Sequence, residues 1–112
     1  MQATFIHDGG SIDYTPAGDV AGGDVIVAGD LVGVAQRAIT ANELGALTVV
    51  GVFDVPKAAG ASSAIALGAT LYWDTTETVA KTDSESGANK LIGKCVKAAA
   101  DADATVRARL MQ

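Results

Sequence analysis

The chain has 112 residues, a formal net charge of −5 and a sequence pI of about 4.5, and this acidity argues against a nucleic-acid partner, which requires clustered Lys and Arg. Its length fits one domain, and its single cysteine, Cys95, excludes an intrachain disulfide. No apolar run approaches the length of a membrane span and the N-terminus lacks a secretory signal, so we expect a protein that is made in a cytoplasm and has no membrane partner.

The N-terminal segment predicts an extended arm. Residues 1–24 contain two short apolar runs, ATFI and SIDYT, which are separated by Gly9 and Gly10 and followed by Pro16. Because Gly adopts backbone angles closed to other residues and Pro lacks an N–H donor, we expect short strands with a break between them. A compact β-barrel domain is predicted to follow over residues 25–112, with DVIVA and LVGVAQ as its first strands.

The run LTVVGVFDV, residues 47–55, predicts a single central strand. It is apolar on both faces, as in a strand that is covered on both sides, and Pro56 ends it. We expect Gly45 to be a turn residue and Gly51 to lie where another backbone comes close. The segment TANE is expected to close a turn, and ASSAIAL, residues 61–67, is the one candidate for a helical turn.

The C-terminal half predicts further strands, TLYWD, TVAKT, KLIGKCVKA and TVRARL, by alternation of apolar and polar residues. The polar stretch KTDSESGANK, residues 81–90, predicts an exposed hairpin loop. Alternation in KLIGKCVKA places Ile92 and Val96 on one face, and Cys95 is expected to be a small buried hydrophobe. The basic residues of this region are interpreted as solvent-facing positions of edge strands: Lys94, Lys97, Arg107 and Arg109.

Short, regularly spaced strands bounded by Gly, Asp, Asn or Pro are typical of small all-β folds. We predict a mainly β protein, a barrel or sandwich of roughly 7–9 short strands with at most one short helical turn. Since only 4% of the residues are aromatic, small aliphatic side chains must fill the core, which favours additional support from oligomerisation.

The sequence lacks motifs that carry chemistry. Its only Gly-Lys pair, Gly93 and Lys94, lies in a predicted strand without a following Ser or Thr, so the P-loop pattern fails. His7 is the sole histidine, which argues against a catalytic triad or a metal site. Asp54 and Asp74 would suit a glycan hydrolase, but one Trp and two Tyr provide few sugar-binding platforms. We predict no enzyme, no cofactor and no metal.

Several segments share their order of Gly, aliphatic and aromatic residues with a known family. The segments are MQATFIHDGGSIDYTPAGDVAGGDV, VGVAQRAITANELGALTVVGVFDVPKA, LGATLYWD and the terminal VRARL. The most specific positions are Gly29–Ala35, Ile39, Gly45, Leu47, Val49, Gly51–Lys57, Gly68 and Leu71–Asp74. Over nearly its whole length the chain thereby resembles the small bacteriophage capsid cement, or decoration, proteins.

This resemblance implies a β-rich domain that binds the major capsid protein on the outside of the assembled head, often at local threefold positions, and stabilises the capsid. It implies a virion location at the outer capsid surface after synthesis in the host bacterial cytoplasm. It also implies a homo-oligomer, with a trimer favoured. The alternative is a β-barrel binding module, displayed on the virion, for a glycan or a host-surface ligand.

A cement protein needs complementary surfaces and no pocket, and the N-terminal arm is the expected contact. We predict that residues 2–14 are mobile in the free protein and become ordered on the capsid by adding a strand to a capsid-protein sheet. Tyr72 and Trp73 point to opposite faces of a strand, so Trp73 either packs in the core or anchors an interface. The predicted contact residues are Thr4, Phe5, Ile6, Ile12, Tyr14 and Trp73.

Overall fold

The computed structural model describes residues 2–112, which form nine strands and one short 3₁₀ turn. The strands are β1 (Ser11–Tyr14), β2 (Val25–Ala28), β3 (Leu31–Val34), β4 (Gly45–Thr48), β5 (Gly51–Pro56), β6 (Thr70–Asp74), β7 (Val79–Lys81), β8 (Lys90–Lys97) and β9 (Thr105–Leu110). All named strand pairs are antiparallel. The predicted mainly β class is therefore confirmed.

The strands form two separate sheets. The first has the order β1-β4-β3-β2 and the second has the order β5-β9-β8-β6-β7. Over residues 2–112 the hydrogen-bonded ladder does not close on itself, so the sandwich describes the fold and the barrel does not. The chain builds these sheets one after the other, since every strand of the first sheet precedes every strand of the second.

The predicted central strand is split between the two sheets. The structure divides LTVVGVFDV at Val49 and Val50, with β4 in the first sheet and β5 in the second. Gly51 has a φ of 138°, which redirects the chain at this point and which residues with a side chain rarely adopt. The strand was expected to be covered on both sides, but Val52 is 56% exposed on the outer face of β5. Pro56 ends β5 as predicted.

The main core lies between the two sheets, where β3 packs against β8. Val32 and Val34 enter it from the first sheet. The second sheet and its loops contribute mainly aliphatic side chains together with one aromatic residue: Val55, Ile65, Leu71, Trp73, Ala80, Ile92, Cys95, Ala99, Val106, Ala108 and Leu110. Cys95 is buried, as predicted.

A second, smaller cluster covers the other side of the first sheet. Leu47 packs there with Val20, Ala35 and Ile39, and the chain segments that carry Val20 and Ile39 are joined by an isolated β-bridge. Gly45 was expected to be a turn residue, but it lies in β4 directly beneath the side chain of Ile39. A methyl group at this position would be less than 3 Å from three atoms of Ile39.

Two polar contacts join the sheets. The side-chain amide of Gln112 accepts a hydrogen bond from the Val32 N–H and donates one to the Val32 carbonyl, both at 2.7 Å. The Lys90 ammonium lies 2.8 Å from an Asp30 carboxylate oxygen. Because β4 pairs with β3 only at Val34 and Thr48, Gln112 occupies the position of a strand neighbour beside Val32.

Three local predictions are wrong. The run ATFI forms no strand, and ASSAIAL forms no helix but contributes Ile65, which bridges Ala99. Residues 81–90 include the 3₁₀ turn Glu85–Gly87 and connect β7 to β8. Those strands are not neighbours, because β6 lies between them, so the segment is not a hairpin loop.

The predicted arm is partly built into the fold. SIDYT forms β1, which pairs with β4 over four residues, and the Val49 N–H donates to the carbonyl of Gly10. Residues 2–9 lie outside every strand and are exposed along their length. The part that extends beyond the sheet is thus shorter than residues 1–24.

Candidate interaction surface

The two carboxylates that had been considered for catalysis are engaged in ion pairs. Asp74 accepts hydrogen bonds from the N–H groups of Thr76 and Glu77 and lies 2.8 Å from the Lys81 ammonium. The Lys81 hydrogen bond, with the help of the Glu77 N–H, lowers the pKa of Asp74 to about 2. Asp74 therefore stays ionised and closes the β6–β7 turn.

Asp54 on β5 forms a forked ion pair with Arg107 on β9. The guanidinium donates from Nε at 2.9 Å and from Nη2 at 3.2 Å, and its hydrogen bond holds the pKa of Asp54 below its ordinary value. Within residues 2–112, no three His, Cys, Asp or Glu side chains come together as a metal site would require.

Lys57 is buried although its side chain carries a charge. Its ammonium donates to the carbonyls of Ala58, Ala100 and Asp103 at 2.8, 3.1 and 2.8 Å. These bonds satisfy the charge in place of water and hold the loop after β5 against the loop before β9. Lys57, which follows Pro56 in the segment VFDVPKA, therefore has a structural role in this fold.

The N-terminal segment, residues 2–10, presents two large apolar side chains to solvent. Phe5 is 80% exposed and Ile6 is 78% exposed, and Thr4 beside them is exposed as well. The segment leads directly into β1, which is an edge strand with one unpaired side. Adjacent exposed apolar side chains next to an open sheet edge are typical of an interaction surface.

The other predicted contact residues lie elsewhere. Ile12 and Tyr14 pack against the smaller cluster around Leu47 and are only half-exposed. Trp73 is 5% exposed and belongs to the main core, which favours the packing interpretation of this side chain over an interface anchor. The structure therefore brings Thr4, Phe5 and Ile6 together on one exposed segment and separates the remaining three from it.

A basic surface covers the second sheet and was not foreseen as a site. We call this surface the basic face; its cationic residues are Lys94, Lys97, Arg107 and Arg109, all of which point to solvent. They were expected on edge strands, but β8 and β9 are interior strands of the sheet. Lys94 lies directly opposite Arg109, and Lys97 lies opposite Arg107. The arrangement depends on the register in which β8 pairs with β9, and alternation within each strand does not reveal that register.

The first sheet carries the opposite charge. We call the exposed carboxylates of residues 2–50 the acidic half: Asp8, Asp13, Asp19, Asp24, Asp30 and Glu43. Arg37 is the one Lys or Arg in this part of the sequence. Glu43 and the exposed Leu44 line a groove of about 490 Å³ that runs beside β4 and also includes Arg37.

Comparison with known proteins gives one family. A family model described as phage cement protein matches residues 6–110, which confirms the resemblance seen in the sequence. Comparisons with curated proteins and with solved structures gave no match. In the part of the chain from residue 2 onwards, no helix has the length and apolar character needed to cross a membrane.

Proposed function

The chain belongs to the phage cement protein family, and from this premise we propose that it binds the outer surface of the assembled phage head through its N-terminal segment. The family itself establishes a structural, capsid-stabilising role in the virion. The exposure of Phe5 and Ile6 is the observation that supports the segment as the contact.

Burial against the capsid would explain why two large apolar side chains are exposed in the free protein. Phe5 and Ile6 belong to neither hydrophobic core. Transfer of each side chain from water into an interface contributes about 1.5–3 kcal/mol to the free energy of binding. Because the segment lies outside every strand and continues into the open edge of β1, its backbone is free to pair with a strand of the major capsid protein. Side-chain burial then supplies affinity, and strand pairing fixes register.

We further propose that several copies act together, with a trimer favoured. The resemblance to cement proteins at local threefold positions supports this arrangement and the outer surface as its location. A trimer that engages three capsid subunits gains avidity without any new contact, because the second and third binding events become intramolecular.

Co-sedimentation with purified capsids that lack the protein tests this function. Phe5→Asp should abolish co-sedimentation while the circular dichroism spectrum and Tm stay as in the wild type, because Phe5 lies outside both cores. Leu67→Asp is the matched control, since Leu67 is exposed to a similar degree but far from the segment in sequence, and it should bind as the wild type does.

Hydrogen exchange provides the second readout. Residues 2–10 should exchange rapidly in the free protein and become protected on capsids. Wild-type binding by Phe5→Asp, or strong protection of this segment in the free protein, would refute the segment as the contact. A wild-type chain that fails to co-sediment would refute binding to the assembled head.

A further inference from the structure

The basic face has an arrangement that folding does not favour. In both cross-strand pairs a cation faces a cation, Lys94 against Arg109 and Lys97 against Arg107. Like charges directly opposite each other on antiparallel strands are destabilising. Asp54 offsets one pair through its ion pair with Arg107, but the neighbours directly opposite Arg109 are Lys94 and Val52. An external anionic partner at Arg109 would relieve this repulsion.

The basic face also combines charge with apolar surface. Val52, Leu91 and Val96 are exposed, and Val52 lies directly beside Arg109. Tyr72 is half-exposed on the neighbouring strand β6, opposite Leu91. Mixed Arg, Tyr and aliphatic surface is characteristic of protein–protein interfaces. The net charge of −5 argues against a polyanion, because the acidic half would repel it.

A complementary surface exists on the same molecule. The acidic half carries its carboxylates on and around the first sheet, and Asp13 is exposed on β1 opposite the exposed Ala46. Glu43 and Leu44 lie beside each other at the groove, so this side too combines charge with an exposed apolar group. A single chain cannot bring its own basic face onto its own acidic half, because the first sheet packs on the inner side of the second.

We propose that the basic face of one copy docks on the acidic half of a second copy. This contact is head-to-tail, because each copy offers a different surface, and such contacts generate a closed ring when the rotation between copies closes. The contact does not use Phe5 or Ile6, the two apolar side chains that are proposed to bind the capsid. Opposite charges at the contact make self-association sensitive to salt.

Charge reversals on each surface provide the test. Arg109→Glu should weaken self-association at least about tenfold in sedimentation velocity, because a repulsive charge replaces an attractive one. It should fold as stably as the wild type or better, since Lys94 gains an opposite charge as its neighbour. Wild-type self-association should itself weaken from low to high salt.

The control separates a specific contact from an effect of net charge. Arg37→Glu changes the net charge by the same amount, but it adds a carboxylate to the groove of the acidic half, so it should strengthen self-association. Equal weakening by Arg37→Glu and Arg109→Glu would overturn the proposal.

Complementation tests the head-to-tail geometry. Arg109→Glu retains its acidic half, and the double variant Asp13→Lys/Glu43→Lys retains its basic face. Each should be largely monomeric alone, and an equimolar mixture should form a dimer through the one intact pair of surfaces. Absence of a mixed dimer, or a wild-type chain that is monomeric at all salt concentrations, would overturn the proposal.

The same variants distinguish the second copy from other partners. If the wild type retains DNA and Arg109→Glu does not, the basic face binds nucleic acid and the proposal is overturned. If the wild type is monomeric in solution and Arg109→Glu no longer binds capsids, the basic face binds the capsid and the proposal is likewise overturned. If the wild type self-associates as described but does not bind capsids, the proposed function fails and the head-to-tail contact stands.

Discussion

Gly93 in β8 is the glycine whose surroundings leave the least room for a side chain. Its φ of 155° is rare for residues with a side chain, and a methyl group here would overlap the backbone oxygen of Arg109 on β9. The close approach accompanies the register shift between β6 and β8 at Leu71 and Tyr72. Gly93 lets β6, β8 and β9 pack together at this register shift. Alternation in the sequence had indicated only an ordinary strand position for this residue.

Gly93→Ala should destabilise the protein by about 3 kcal/mol or more, because the backbone of β9 must move to accept the methyl group. Chemical denaturation measures the loss. Gly18→Ala is the matched control, since nothing lies within 4 Å of a methyl group there and its φ is not positive. A loss below about 0.5 kcal/mol for Gly93→Ala would contradict the close approach.

The β6–β7 turn shows how an element uses buried charge. Asp74 is nearly inaccessible, yet it receives two backbone N–H groups from the turn and the ammonium of Lys81 from the paired strand. Lys81 also pairs with Glu77 in the turn itself. These bonds fix the turn geometry, which is why a carboxylate in LYWD serves the fold and not catalysis.

This turn makes stability depend on pH. The pKa of Asp74 is about 2 in the folded state against an ordinary value of 3.8, so protonation favours the unfolded chain. The stabilisation is complete above the ordinary value and is lost as the pH falls through about 2. The difference in unfolding free energy between wild type and Asp74→Asn should therefore shrink over this range.

Denaturation from pH 5 to about pH 2 measures that difference, and the other carboxylates cancel because they are present in both proteins. Lys81→Met should remove most of the same pH-dependent difference, because the Lys81 hydrogen bond is the main cause of the lowered pKa. Wild-type and Asp74→Asn stabilities that fall in parallel would contradict this account.

At the scale of the whole molecule, two sequential halves share one main core. Residues up to Thr48 build the first sheet and residues from Gly51 build the second, with β3 packed on β8. Gln112 at the C-terminus reaches back to Val32, and the Lys90–Asp30 ion pair crosses the same junction. The junction is therefore held by apolar packing with a few polar contacts.

Gln112→Ala should lower the unfolding free energy by about 1–2 kcal/mol, because it removes two hydrogen bonds and leaves the buried Val32 without these partners. Gln112→Glu should lower the unfolding free energy by a smaller amount, since a carboxylate can accept a hydrogen bond from the Val32 N–H but cannot donate one to the Val32 carbonyl. Gln2→Ala, in the exposed N-terminal segment, serves as the control. Equal stability of Gln112→Ala and wild type in urea denaturation would contradict the bridging role.

The predictions from sequence failed where strands meet other strands. In KLIGKCVKA, strict alternation placed Ile92 and Val96 on one face. The register shift of β8 opposite Leu71 and Tyr72 instead buries both Ile92 and Cys95, so that Val96, the next residue after Cys95, is exposed. A bulge adds a residue to one strand only, so it changes which face later residues occupy. A related reason separates the predicted contact residues. Pairing of β1 with β4 turns Ile12 and Tyr14 toward the smaller cluster around Leu47, away from the exposed Phe5 and Ile6.

The sequence by itself determined the β class, the family and the position of most strands, because period-2 alternation, turn residues and the order of Gly and aliphatic positions are local properties of the chain. Only the tertiary structure decided the division of LTVVGVFDV between two sheets, the burial of Lys57 and the alignment of four cations on one face. Those features depend on which strands share hydrogen bonds and in which register, and the pattern within a single strand does not encode that choice.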